Sequence, residues 1–493
     1  MKKILSLLLL VVLLLGVLCP TLVSCEEEEE TTVSTVEVEG EYNGLEARDF
    51  GGRKITFLTY YEPYNEAINT MNEVVGEVEG DPVQRAVYER NVIMQDKYNI
   101  TFDYISTRSN TAPIGEVENY YMAQTGEIDY ILAGTMANFI CGIRGYTVSV
   151  NNIPHVQLDK EWWYDDFLTE TTIAGKNFFL MGDFAYTSWS NSMATIINED
   201  LARAQQISPE EIYDLIRDGK WTFEKFVGYT SSVHEDVDGM SEGGSEVTGG
   251  DIFGFYGSGP TIDALLAASN ITFLKEQNDG SLKFGLDPKF IPFYDEVWEL
   301  LHAKTSLFID ATEWVNRTDI THSFNDGRSV FTITSMPYRD SVLRDVEFKY
   351  LYLPLPKWTE SQDKYYSWCH QYNCSSVTMM RGSDLDTLGY IIEDFTFYSM
   401  KTVRPGYYDT LVEGMIATNE TFIEMLDYIV GIYSIDRASL FATDGVTLLA
   451  GKSGDIRAAL QNERKPGYTS AIKQMSQWQT RVDDAVEKVN SQQ

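Results

Sequence analysis

The sequence predicts an α/β protein built from more than one folding unit, and three observations carry that prediction. The chain has 493 residues, against roughly 100–200 for a usual domain. From Lys54 onward, short apolar runs alternate with helical periodicity, the pattern of a parallel sheet covered by helices. Hydrophobic residues make up 43% and charged ones 23%, enough for packed cores, so global disorder is excluded. With 38 Lys+Arg against 74 Asp+Glu and a net charge of −36, the balance argues against nucleic acid, whose phosphates demand a basic face. It carries one long apolar run, which excludes a polytopic membrane protein.

That run lies at the amino terminus. Lys2 and Lys3 precede an unbroken apolar stretch from Ile4 to Leu18, followed by Pro20 and Leu22-Val23-Ser24-Cys25. A basic start, a core of this length and small residues before a cleavage point read as a secretory signal. The tetrapeptide resembles a bacterial lipobox, so residues 1–24 are expected to be a lipoprotein signal peptide and Cys25 the lipid attachment point. An uncleaved anchor helix is the alternative, barely long enough to span. Either way the body lies outside the cytoplasmic membrane, because the two lysines stay inside. Residues 25–49 open with Glu26 to Glu30, whose like charges repel, and read as a flexible acidic tether.

The elements that follow can be justified in order. Ile55-Thr56-Phe57-Leu58 is a short apolar strand, and Val83 to Lys97 an amphipathic helix with Val87, Val92 and Met94 inward. Strands are expected at Ile100 to Ile105, Ile128 to Ala133, Ile252 to Phe255, Phe331 to Thr334 and Ser375 to Met379. Phe290 to Ala303 places Phe293, Val297, Leu300 and Leu301 on one helical face. Further helices are expected at Leu385 to Met400, Asn419 to Ile432 and Ala471 to Asn490. The Gly/Ser/Glu/Asp-rich stretch from Ser232 to Gly250 reads as a mobile surface loop.

Catalytic and metal motifs are incomplete. Gly445 to Ser453 approaches a phosphate-binding loop, but Val446 stands where glycine is required. Gly243-Gly244-Ser245-Glu246-Val247 ends in valine, so it is no nucleophile elbow. His234-Glu235 lacks a second histidine, and the acidic loop after it lacks the first and last ligands of a calcium loop. Cys141, Cys369 and Cys374 remain after the signal and lipid cysteines. They form no zinc pattern, and whether 369 and 374 pair is left open. No cofactor, metal or catalytic residue is expected.

Four segments resemble the extracellular solute-binding proteins of ABC importers, family 1, the sugar-type lipoproteins. They are Asp218-Gly219-Lys220-Trp221-Thr222, Phe324-Asn325-Asp326-Gly327-Arg328-Ser329-Val330-Phe331, Tyr352-Leu353-Pro354-Leu355-Pro356-Lys357 and Val403-Arg404-Pro405-Gly406-Tyr407-Tyr408. The resemblance covers about residues 50–490. It implies the periplasmic-binding-protein type II fold, two α/β lobes joined by a hinge, with a helical carboxyl-terminal region. Lobe 1 would hold residues 50–188 and 348–402, and lobe 2 residues 189–347 and 403–490, with the first crossing near Tyr186 to Trp189. It further implies a non-enzymatic monomer that captures a carbohydrate, expected to be an oligosaccharide, and delivers it to ABC permease subunits.

Aromatic residues suit that ligand. The chain has 9 Trp, 30 Tyr and 24 Phe, and such rings offer a flat apolar face to sugar C–H groups together with a polar tip. Trp221, Trp298 and Trp478 are assigned to packing. Family topology puts strand ends and the hinge at Tyr60, Tyr61, Glu62, Thr135, Trp189, Tyr256, Ser258, Tyr338, Arg339 and Trp368, of which about half are expected to touch ligand. Glu62 and Arg339 would orient hydroxyls by charge-assisted hydrogen bonds. Two rivals stand beside this reading: the same fold binding a peptide or other small solute, and a secreted glycan-hydrolysing lipoprotein.

Overall fold

In the computed structural model, the described residues are 45–63, 68–237, 239, 250–309, 323–336, 343, 346–368, 370–413, 420–444, 456–462 and 468–492. Cys25, the tether to residue 44, most of the glycine-rich loop, Tyr338, Arg339, Cys369 and the Gly445 to Ser453 segment lie outside them.

The first sheet grows from the apolar runs of the amino-terminal half. β1 (Arg53–Tyr61) is central, β2 (Ile100–Arg108) and β3 (Tyr130–Gly134) flank it in parallel, and β13 (Ser375–Met379) closes the order β13-β3-β1-β2. β13 runs antiparallel to β3, so the expected all-parallel sheet is instead mixed. A late segment can add an edge strand in either direction without a crossover helix. The helix Pro82–Tyr98 starts where the Asp81 side chain accepts from the Gln84 N–H, with proline in its first turn, and ends at Asn99 in the left-handed region.

The second sheet has the order β11-β4-β10-β6-β5, with β9 beside β6. Its strands are β4 (Met193–Asn198), β5 (His234–Glu235), β6 (Ile252–Ser258), β9 (Ser306–Ile309), β10 (Ser329–Ser335) and β11 (Tyr350–Leu353). β4 is antiparallel to both β10 and β11, while β6 is parallel to β10. β11 belongs to this sheet, although residues from 348 onward were expected in lobe 1. The chain therefore returns to the first sheet between Leu353 and Ser375. The boundary expected at residues 402/403 falls inside one helix, Leu385–Glu413, which carries Pro405 within it.

Two short strands tie the crossings together: β12 (Ser367–Trp368) pairs in parallel with β14 (Tyr433–Ser434). The Ser367 hydroxyl donates to the Met193 carbonyl at 2.8 Å, and the Ser192 hydroxyl to the Tyr433 phenol at 2.9 Å. The final helix, Thr469–Ser491, docks at two places. Gln479 holds the Phe284 N–H and the Leu282 carbonyl of the hairpin β7 (Leu274–Glu276)–β8 (Leu282–Phe284). At its far end Lys176 Nζ donates to the carbonyls of Val489 and Gln492, a cation on helix-end carbonyls.

The three tryptophans assigned to packing do pack. Trp221 is fully buried and donates to the Pro354 carbonyl at 3.0 Å, and Trp478 is buried. Trp298 lies against the core and stacks on His302.

Candidate functional site

At one end of the first sheet the carboxyl termini of β1, β2 and β3 meet the amino terminus of β13, the end at which open α/β sheets bind ligands. Over this crest lies the loop His370 to Cys374. Thr135 holds it from below: its hydroxyl donates to the Gln371 carbonyl at 3.1 Å and its N–H to the Cys374 carbonyl at 3.1 Å. The Tyr60 phenol reaches the Asn373 carbonyl at 3.5 Å, and Asn110 Nδ2 donates to Asn373 Oδ1 at 3.2 Å. Glu62 Oε1 accepts from the Asn110 N–H at 2.8 Å. The approach is close enough to require glycine at 134, where an added Cβ would sit 2.4 Å from the Tyr372 carbonyl oxygen.

An alternating ring series leads from the hinge to this crest. Trp368 and His370 have ring centroids 4.9 Å apart, and His370 and Tyr372 5.6 Å apart. Burial, helped by the nearby Arg457, pushes the His370 imidazole down to about 4. It is therefore neutral at physiological pH and able both to donate and to accept a hydrogen bond.

Beside the β12–β14 pair a crevice of about 20 Å³ is lined by Asp263, Trp368, Gln371, Ser434 and Asp436, among others. Asp263 belongs to the helix Gly259–Ala268 that follows β6, and its carboxylate pairs with Arg457. Asp436 accepts the backbone N–H groups of Phe273, Leu274 and Ala438, while burial pushes its carboxyl up to about 6. Gln371 is 3% exposed, and its Oε1 is buried without a hydrogen-bond partner among the described residues.

The sequence-expected residues thus divide. Tyr60, Tyr61, Glu62 and Thr135 come together at the crest, and Trp368 lines the crevice. Tyr256 and Ser258 stand at the carboxyl end of β6 on the second sheet. Tyr61, Glu62 and Ser258 keep part of their surface exposed, whereas Tyr60, Thr135, Tyr256 and Trp368 are buried. Trp189 sits at the crossing but is enclosed, with edge contacts to Tyr407 at 4.8 Å and Tyr408 at 5.9 Å. In this conformation it presents no surface to a solute. Asn110, His370, Gln371, Tyr372, Asn373 and Asp263 were not anticipated. The alternation Trp368-x-His370-x-Tyr372 was the one available signal, since period-two spacing keeps rings on one face of an extended segment.

A larger cavity of about 410 Å³ opens at the opposite, amino-terminal end of the first sheet, between Arg53, Tyr120, Asp129, Met380 and Asp384. Among its charges, Arg53 is joined to Asp129 at 2.8 Å and to Asp384 at 3.3 Å. Among the described residues no cluster of His, Cys, Asp and Glu could hold a metal ion, and no helix is long and apolar enough to cross a membrane.

No protein-family model and no curated protein matches the sequence. Solved structures do match. The sugar-binding protein MalE from Xanthomonas citri is 10% identical, with a TM-score of 0.55 over 88% of this chain and 98% of that one. The cyclic α-maltosyl-1,6-maltose binding protein from Arthrobacter globiformis is 12% identical, with a TM-score of 0.53 over 89% and 97%. UgpB from Mycobacterium tuberculosis, solved with glycerophosphocholine, is 12% identical, with a TM-score of 0.51 over 89% and 99%. The chain has the two-lobe periplasmic-binding-protein fold.

Proposed function

We propose that this chain is a lipid-anchored, extracytoplasmic solute-binding protein that captures an oligosaccharide between its lobes and hands it to ABC permease subunits. The observation that carries the reading is the Trp368–His370–Tyr372 ring series, which runs from the hinge to a crest bearing Glu62, Asn110 and Asn373. Rings beside carboxylate and amide groups suit a ligand with apolar C–H faces and many hydroxyls. Of the structures of like fold, one is a sugar-binding protein and another binds cyclic α-maltosyl-1,6-maltose, which supports the same class here. Capture is non-covalent: the ligand favours the closed arrangement by its greater affinity for it. Lipidation at Cys25, action as a monomer and docking on a permease belong to this proposal, as do Tyr338 and Arg339 as contacts from the second lobe.

The test is thermal unfolding of the soluble chain with a panel of oligosaccharides, monosaccharides, glycerophosphodiesters and peptides. At a hundredfold excess over Kd, binding adds about 2.7 kcal/mol, or several degrees at roughly 2–4 °C per kcal/mol. A shift with one glycan class, without product formation, supports the reading. A shift with glycerophosphocholine alone favours the second reading, a small-solute binder, for which the likeness to UgpB is the motive. Release of smaller sugars would make the protein a hydrolase.

A further inference from the structure

Where the chain leaves the first sheet for the second it makes a single 3-10 turn, Tyr186–Ser188, and enters Trp189 and then β4. The first N–H groups of any helical turn lack partners within it. Here both oxygens of one carboxylate take them: Glu73 Oε2 accepts from the Tyr186 N–H at 2.9 Å and Oε1 from the Thr187 N–H at 2.7 Å. Glu73 is 1% exposed and ends the 3-10 turn Thr70–Glu73. That turn is fixed to the first sheet, since Thr70 Oγ1 accepts from the Tyr60 N–H and donates to the Leu132 carbonyl. On the other side of the crossing the Thr187 hydroxyl donates to Ser375 Oγ and the Ser188 hydroxyl to the Ser375 carbonyl.

We infer that Glu73 is a positioning residue whose ionised carboxylate fixes the crossing between the two lobes, so that the order of the crossing depends on pH. The geometry gives the reason. An ionised carboxylate accepts on both oxygens, whereas a protonated one has a single good acceptor and must place a proton where an N–H now points. Burial pushes the Glu73 carboxyl up to about 7, while the N–H groups of Thr187 and Tyr186 and the charge of Arg90 favour the ionised form. The groups acting on it are Arg90 from the helix Pro82–Tyr98 and the phenol of Tyr60 from β1. Arg90 donates not to the carboxylate but to the Glu73 and Phe184 carbonyls, so its charge lies alongside without replacing the clamp.

A merely structural buried carboxylate would not give the signature expected here. Raised in the fold, its pKa makes global stability increase as pH falls through about 7, yet the two N–H bonds loosen over the same range. Hydrogen exchange of a peptide covering residues 184–192, divided by the intrinsic rate at each pH, reads the second effect without any ligand. In the wild type, protection of Tyr186 and Thr187 should rise about tenfold from pH 5.5 to 8.5, while a peptide within β4 does not change. Glu73→Gln should keep the lower protection at both values and unfold at an equal or higher temperature, and Glu73→Asp should restore part of the rise. An unchanged rise in Glu73→Gln, or no rise in the wild type, overturns the inference. The effect of the clamp on capture rests on the function proposed above. Failure of every saccharide to bind would remove that link and leave the exchange result to decide the clamp.

Discussion

Arg404 places a guanidinium nitrogen 2.8 Å from Asp183, joining the helix Leu385–Glu413 to the segment that leads into the first crossing. The Tyr164 phenol completes the group, donating to Asp183 at 2.7 Å and accepting from Arg404 at 3.0 Å. Burial raises the Asp183 carboxyl while Arg404 and Tyr164 oppose that rise.

Removing one partner strands the other. Arg404→Met should cost about 3–5 kcal/mol in urea unfolding, because a buried charge is left unpaired. The double variant Arg404→Met/Asp183→Asn should recover a large part of the loss. Equal costs for the single and double variants would mean that packing of the Arg404 stem, not the pair, is what matters.

Trp189 should behave as a core residue. It is 0% exposed, and truncating a buried tryptophan costs about 3–5 kcal/mol. Trp189→Ala is therefore expected to lower Tm by several degrees. A Trp189 that touched ligand at the hinge would instead give a variant that binds weakly yet stays fully stable. Calorimetry alongside ligand titration separates the two.

For His370→Ala and Tyr372→Ala the expectation is reversed. Both side chains are partly exposed, so each variant should fold normally and bind its saccharide roughly tenfold more weakly, about 1.4 kcal/mol. Unchanged affinity in both variants would remove the ring series from the site.

Stability should peak on the acid side of neutral. Burial raises the carboxyls of Glu73 and Glu170 to about 7 and that of Asp436 to about 6. The folded chain therefore binds more protons than the unfolded one between about 4.5 and 7, and stability rises as pH falls through that window. Below it the trend reverses, because Asp103 and Asp384 are held below the usual carboxylate range by hydrogen bonds, to Lys54 and to Thr387 respectively. A Tm profile from pH 4 to 9 with its maximum above 7 would contradict this.

What the sequence disclosed follows from how locally each feature is encoded. β1, β2 and β3 and the helices Pro82–Tyr98 and Phe290–Leu301 were legible because apolar periodicity within a few residues specifies them. The direction of β13 and the membership of β11 were not, since both depend on which distant strand offers a free edge. The resemblance implied a lobe boundary at residues 402/403, but tertiary packing carries one helix across it and through Pro405. Strand ends located Tyr60, Tyr61, Glu62 and Thr135 at the crest. Their partners Asn110, Gln371 and Asn373 reach it through loop hydrogen bonds, which leave no periodic trace.

The edge strand β13 also bears on how the protein comes to be made. β3 is complete at residue 134, yet its neighbour on the outer side is contributed by residues 375–379 of 493. During synthesis the amino-terminal lobe must wait, its sheet edge uncovered, until most of the chain has emerged. Pairings between such distant segments form slowly, and an uncovered edge invites aggregation in the meantime. If the proposed signal at residues 1–24 directs export, that delay would favour passage across the membrane before folding is finished.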